Sequence, residues 1–102
     1  RDLTVTGVQT CALPIFIVAS NTSSLNPYIN YCRKNKFKPH PARMPIDVAN
    51  FFIKFLTNKN DLILDPFAGC NTTGASANIL NRKWVAIENK KEYIKSSLGW
   101  FK

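Results

Sequence analysis

Apolar positions recur with a helical period in two stretches and gather into short strand-like runs in two others. Leu25, Tyr28, Ile29 and Cys32 fall at i, i+3, i+4 and i+7, one stripe of a helix. Asn26 has the side chain of an N-cap, and Pro27 suits the first turn behind it. Val48, Phe51, Phe52, Phe55 and Leu56 form a second stripe, in a helix opened by Pro45. Asp47 in its first turn and Lys54 near its end both complement the helix dipole. Burying each large side chain is worth roughly 1.5–3 kcal/mol, so this aromatic stripe is expected to be core. Asn58-Lys59-Asn60-Asp61 is a polar turn into Leu62-Ile63-Leu64, which reads as a buried strand ending at Asp65. Ala75, Ala77, Ile79 and Leu80 belong to a small-residue helix that can lie close on a sheet. Trp84–Ile87 reads as a second strand, parallel to the first because a helix separates them. Lys90–Leu98 is a last helix, with Tyr93, Ile94 and Leu98 expected to face inward. Phe16-Ile17-Val18 is a further short apolar run of strand type. The alternation predicts an α/β unit with parallel strands and flanking helices.

Between the two strands lies Asp65–Gly74, DPFAGCNTTG. Pro66 stops the strand, since it cannot donate to a ladder. Gly69, Asn71 and Gly74 give G-x-N-x-x-G, one residue away from a dinucleotide-binding fingerprint. Asn is the non-glycine residue most at home at left-handed angles, so Asn71 can stand where a glycine is usual. Thr72-Thr73 lead into the helix, so the loop offers backbone N–H groups and a positive helix end to a ligand. Glu88 follows the second strand, 23 positions after Asp65, where an acceptor for ribose hydroxyls belongs. Lys38-Pro39-His40-Pro41-Ala42-Arg43-Met44-Pro45 carries three prolines in seven positions, so it is extended and pre-set. Such a segment can hold amides against a ligand, or it can be a stiff connector.

The chain has 102 residues, and its net charge of +8 suits an anionic partner as well as a merely solvated surface. Arg33, Lys34, Lys36, Lys38 and Arg43 are five cations with no acid among them, a candidate patch for phosphate or carboxylate. Cysteines at 11, 32 and 70 make no C-x-x-C pair and His40 is the only histidine, so no metal site is expected. Free thiols and the lack of a membrane-length apolar span point to the cytoplasm, with no membrane partner.

Taken together, Ser20-Asn21-Thr22, His40–Arg43 (HPAR) and Ala68–Gly74 (AGCNTTG) resemble the amino-methyltransferases of DNA, enzymes of bacterial restriction–modification systems. The similarity is greatest to the cytosine-N4 branch, with Cys70 where that branch usually has Ser. It implies a partial Rossmann-like, S-adenosylmethionine-dependent methyltransferase fold in a bacterial or archaeal protein acting on double-stranded DNA. Carried over residue by residue, it gives Phe67, Ala68 and Gly69, with Asn71 and Thr72, to the cofactor loop. Asp65 would orient the methionine end, Glu88 would accept the ribose hydroxyls, and Lys38, His40, Pro41 and Ala42 would hold the methionine carboxylate. Arg33, Lys34, Lys36 and Arg43 would face DNA. No catalytic residue is assigned: the family's Ser-Pro-Pro-Tyr or Asp-Pro-Pro-Tyr is lacking, and Asn26-Pro27-Tyr28 has one proline too few.

Arg1–Ile15 resembles the translation of a sequencing-adapter read-through, so residues 1–15 are expected to lie outside the fold. Residues 16–102 would then be the cofactor-binding part of the catalytic domain, with the catalytic motif and target-recognition region outside it, and only marginally stable alone. Alternatives are adenine-N6 specificity, a nicotinamide-dependent oxidoreductase with a similar loop, and a non-catalytic nucleic-acid-binding module.

Overall fold

The computed structural model describes residues 26–102. Arg1–Ile15, Cys11, the Phe16–Val18 run, Ser20-Asn21-Thr22 and Leu25 lie outside the described residues. The elements run α1 (Pro27–Asn35), α2 (Ile46–Leu56), β1 (Leu62–Asp65), α3 (Thr72–Ile79), β2 (Lys83–Ala86) and α4 (Lys91–Ser97). A 3₁₀ helix, Leu98–Phe101, follows α4 directly.

Local chemistry accounts for most boundaries. Asn26 caps α1 by accepting from the Ile29 N–H at 3.1 Å, and Pro27 occupies the first turn. Pro45 precedes α2, where its missing N–H has no intrahelical partner to lose. The Asn58–Asp61 turn closes on itself, the Asn58 N–H donating to Asp61 Oδ2 at 2.8 Å, with Asn60 at φ 74°. β1 and β2 pair in parallel, in register from Leu62 opposite Lys83 to Asp65 opposite Ala86. Arg82 ties the turns before the two strands together: it donates to Thr57 Oγ1 (3.0 Å), Thr57 O (2.7 Å) and Leu80 O (2.8 Å).

Three burial expectations are corrected. β1 is not a buried strand: Ile63 and Asp65 are half-buried on one face with Trp84 and Ala86, whereas Leu62 and Leu64 are exposed on the other. A strand reads as buried on both faces only where both are covered. The α2 stripe is not core either, since Phe55 and Leu56 are 72% and 69% exposed and Phe51 and Phe52 are also exposed. α2 instead turns Ala49 and Ile53 inward. Ser76 Oγ on α3 donates to Asn50 Oδ1 on α2, which joins the two helices. In α4 the inward face is Ser96 and Ser97, followed by Gly99, while Ile94 and Leu98 stay exposed. Small residues win at Gly99 because the 3₁₀ helix lies very close to α1. A Cβ on Gly99 would come 2.5 Å from the Tyr31 Cβ.

The core sits between α1, the loop after β1 and the 3₁₀ helix. Tyr28, Cys32 and Cys70 are buried together, with Ile29, Phe37 and Trp100 packed around them. Tyr28 and Trp100 stack at 5.8 Å between ring centroids.

Candidate functional site

β1 delivers Asp65 to the start of the DPFAGCNTTG loop, and that carboxylate holds both ends of it. Its Oδ1 accepts from the Phe67 N–H at 3.1 Å, and its Oδ2 accepts from the Thr73 hydroxyl at 2.7 Å. Gly69 (φ 57°) and Asn71 (φ 64°) both take left-handed angles, which reverses the chain into α3. Asn71 does more than tolerate that geometry. Its Oδ1 accepts from the Gly74 N–H at 3.0 Å, so it is the N-cap of α3.

Glu88, just past β2, closes the other side. Its Oε1 accepts from the Gly69 N–H at 2.9 Å and its Oε2 from the Lys90 N–H at 3.0 Å. Each oxygen keeps a lone pair for a ligand hydroxyl. The third wall is the proline-rich segment. The imidazole of His40 lies under the loop, its Nε2 3.2 Å from where a Gly69 Cβ would stand. The Ala42 N–H donates to His40 Nδ1 at 3.0 Å, and Arg43 Nη1 donates to the His40 carbonyl at 3.0 Å. His40 is thus engaged in packing and hydrogen bonds. Among the described residues no group of three His, Cys, Asp or Glu side chains is placed to hold a metal.

These walls enclose a cleft of about 610 Å³, within the range of small-molecule sites. Of the residues singled out in the sequence, His40, Ala42, Asp65, Phe67, Ala68, Gly69, Thr72 and Glu88 line it. Lys38 and Pro41 are exposed outside its lining, and Asn71 instead borders a smaller cavity of about 230 Å³ that Ala68, Gly69 and Glu88 also line. Arg33, Lys34 and Lys36 are exposed at the end of α1, with Arg33 donating to Asn30 Oδ1 at 3.0 Å. Arg43 does not share their surface: it is half-buried in the cleft wall. The five-cation cluster splits because the extended segment turns back towards the loop. Met44, Cys70 and Thr73 also line the cleft and were not assigned from the sequence. Adjacency to the loop and segment motifs was the only available signal for them.

Cys70 carries its thiol inside the cleft wall, 3.3 Å from Thr72 Oγ1. Burial pushes that thiol above its ordinary pKa, against smaller opposing effects of Thr72 and the charge on Arg43. It is a packing group with little thiolate character.

The DNA methylase family N6_N4_Mtase matches residues 19–98. The chain belongs to that family. It is 42% identical over 84 residues to the type II methyltransferase M.PvuII of Proteus hauseri, covering 82% of this chain and 25% of the relative. It is 39% identical over 72 residues to the DNA adenine methyltransferase YhdJ of Escherichia coli (strain K12), covering 71% of this chain and 24% of the relative. Among solved structures it resembles PvuII DNA methyltransferase (cytosine-N4-specific), with a TM-score of 0.75 and 40% identity over 84% of this chain and 30% of that one. The M1.HpyAVI–SAM complex gives a TM-score of 0.59 and 35% identity over 61% of this chain and 30% of that one. The chain therefore spans about a quarter of the length of these curated relatives. Its fold is an α/β piece of the methyltransferase fold, which sets aside the oxidoreductase reading. Among the described residues no helix is long and apolar enough to cross a membrane.

Proposed function

We propose that residues 16–102 are the S-adenosylmethionine-binding part of a DNA methyltransferase that acts on the exocyclic N4 of cytosine, and that residues 1–15 are foreign to it. The observation that carries the cofactor reading is the paired grip of Glu88 and the glycine loop. An acid locked to the Gly69 N–H at 2.9 Å lines a cleft that Arg43 and His40 also line. That donor set suits a ligand with a diol near one end and an amino-acid carboxylate at the other. It is chemically matched to S-adenosylmethionine, and the M1.HpyAVI–SAM complex is a related structure with that cofactor.

The cofactor would supply an electrophilic sulfonium methyl; everything else falls to side chains and backbone. Glu88 would take the ribose hydroxyls on the lone pairs that the Gly69 and Lys90 N–H groups leave open. Asp65 would hold the loop in shape and face the methionine end. Ala68, Gly69 and Thr72 would offer backbone and the positive end of α3, which Asn71 caps from outside the cleft. Phe67, 88% exposed at the rim, is free to cover a bound ligand. His40 and Ala42 would seat the carboxylate, and we add Arg43 to that role because it lines the cleft, whereas Lys38 and Pro41 stand outside it. Arg33, Lys34 and Lys36 would meet phosphates of double-stranded DNA from the exposed end of α1. In the intact enzyme the target base would be flipped from the duplex and its amine aligned for direct displacement.

Calorimetric titration of the 102-residue chain with S-adenosylhomocysteine tests the cofactor reading. Binding that Glu88→Ala weakens roughly tenfold or more, with NAD failing to compete, is expected. Saturable NAD binding without S-adenosylhomocysteine binding would refute it. The chain alone should transfer no methyl group to DNA. Mass spectrometry of nucleosides from DNA treated with an intact enzyme carrying these residues separates N4-methylcytosine from N6-methyladenine. The 39% identity to the E. coli adenine methyltransferase is what supports the adenine alternative.

A further inference from the structure

Tyr28 is fully buried and does not line the cleft, yet its hydroxyl is wired to it. The His40 N–H donates to the Tyr28 oxygen at 2.9 Å. A second contact of 3.4 Å joins that oxygen to Ser96 Oγ. Ser96 donates its single proton to the Tyr93 carbonyl at 3.1 Å, so the Tyr28 proton points to Ser96. The bonds therefore run one way, from the His40 N–H through Tyr28 and Ser96 to the Tyr93 carbonyl. Tyr93 then packs its ring on the His40 imidazole, centroids 4.3 Å apart, so the circuit returns to the residue where it began. Burial raises the Tyr28 hydroxyl above its ordinary pKa, which keeps its proton in place.

His40 is the part of the proline-rich segment that touches the loop. Its ring stands 3.2 Å from a Gly69 Cβ position, and its carbonyl receives Arg43 Nη1 at 3.0 Å. The same buried stack supports the opposite wall: Trp100, lying on the Tyr28 ring, donates its Nε1–H to the Cys70 carbonyl in the loop at 2.8 Å. One aromatic pair thus braces two of the three walls of the cleft. Its polar tips have opposite assignments, Tyr28 to the segment and Trp100 to the loop.

We propose that Tyr28 is a positioning residue of the cleft: its hydroxyl fixes the His40 backbone and thereby the gap between the proline-rich segment and the glycine loop. This rests on the cofactor reading above for its ligand. Tyr28→Phe keeps the ring and its stacking and removes only the hydroxyl. In the 102-residue chain we expect S-adenosylhomocysteine to bind roughly tenfold more weakly, and the His40 amide to exchange with deuterium roughly tenfold faster. The Cys32 amide inside α1 should be unaffected. Ser96→Ala, a gentler change, removes the acceptor behind Tyr28 and should weaken binding about threefold; it carries the test if Tyr28→Phe does not fold. A purely structural role would lower the unfolding midpoint while leaving the affinity of the folded chain and the His40 exchange rate unchanged, and that result would overturn the proposal. Failure of the unaltered chain to bind S-adenosylhomocysteine would refute the cofactor reading instead, and His40 exchange would still decide what Tyr28 holds.

Discussion

Gly74 and Asn71 allow a test in which one substitution changes sign with its background. Gly74 is the third residue of α3, and its N–H reaches the capping Asn71 Oδ1 at 3.0 Å. A Cβ at position 74 would stand 2.5 Å from both Asn71 Oδ1 and Nδ2, and Asn71 is 5% exposed. In Gly74→Ala the amide must therefore leave its place. The overpacking costs about 1–3 kcal/mol and the lost cap about 0.5–2, against a helix-propensity gain of about 0.5–1. The net is a destabilisation of roughly 0.5–4.5 kcal/mol. Asn71→Gly keeps the left-handed backbone at φ 64° and empties the space. It should cost about 0.5–1 kcal/mol, from the cap and from chain entropy. On that background Gly74→Ala meets nothing and should stabilise by about 0.5–1 kcal/mol. Urea unfolding followed by fluorescence of Trp84 and Trp100 measures all four chains. If the two changes add to within about 0.5 kcal/mol, the amide does not fill the space above Gly74 and the reasoning is wrong.

Other outcomes follow from the same structure. Arg82→Ala should cost about 1.5–3 kcal/mol by urea midpoint, because three carbonyl or hydroxyl acceptors lose a charged donor; Arg82→Lys, with one donor head, should recover less than half. In a Cys11→Ser chain, a disulfide reagent should label Cys70 at least about a hundredfold more slowly in the folded state than in urea at pH 8. Because folding raises that thiol's pKa, its contribution to stability is complete below the unfolded value and is lost as pH climbs through the folded one. The unfolding midpoint should accordingly fall as pH rises above about 8.5, and a midpoint that rises there would contradict the sign. Phe55→Lys with Leu56→Glu should reduce binding of an apolar dye and move stability by no more than about 0.5 kcal/mol. A loss above about 3 kcal/mol would mean that these side chains are core after all.

The sequence by itself determined several features that depend on a few neighbouring residues. Asn26 and Pro27 start α1, Pro45 starts α2, and Asn71 takes the left-handed angle, because capping and φ preferences act within one turn. The parallel pairing of β1 and β2 was legible from a helix set between two apolar runs. Periodicity names the apolar face of a helix, but not whether anything lies against it. That is why Phe51, Phe55 and Leu56 were expected in the core and stand exposed, while Ala49 and Ile53 pack. Only the tertiary structure decided how the cleft is built. The His40 ring under Gly69, Arg43 turned from the basic cluster into the wall, and the Tyr28 hydroxyl on the His40 backbone join residues 12 to 29 positions apart. Such contacts depend on how α1, the proline-rich segment and the loop close on one another, and no local pattern encodes that closure.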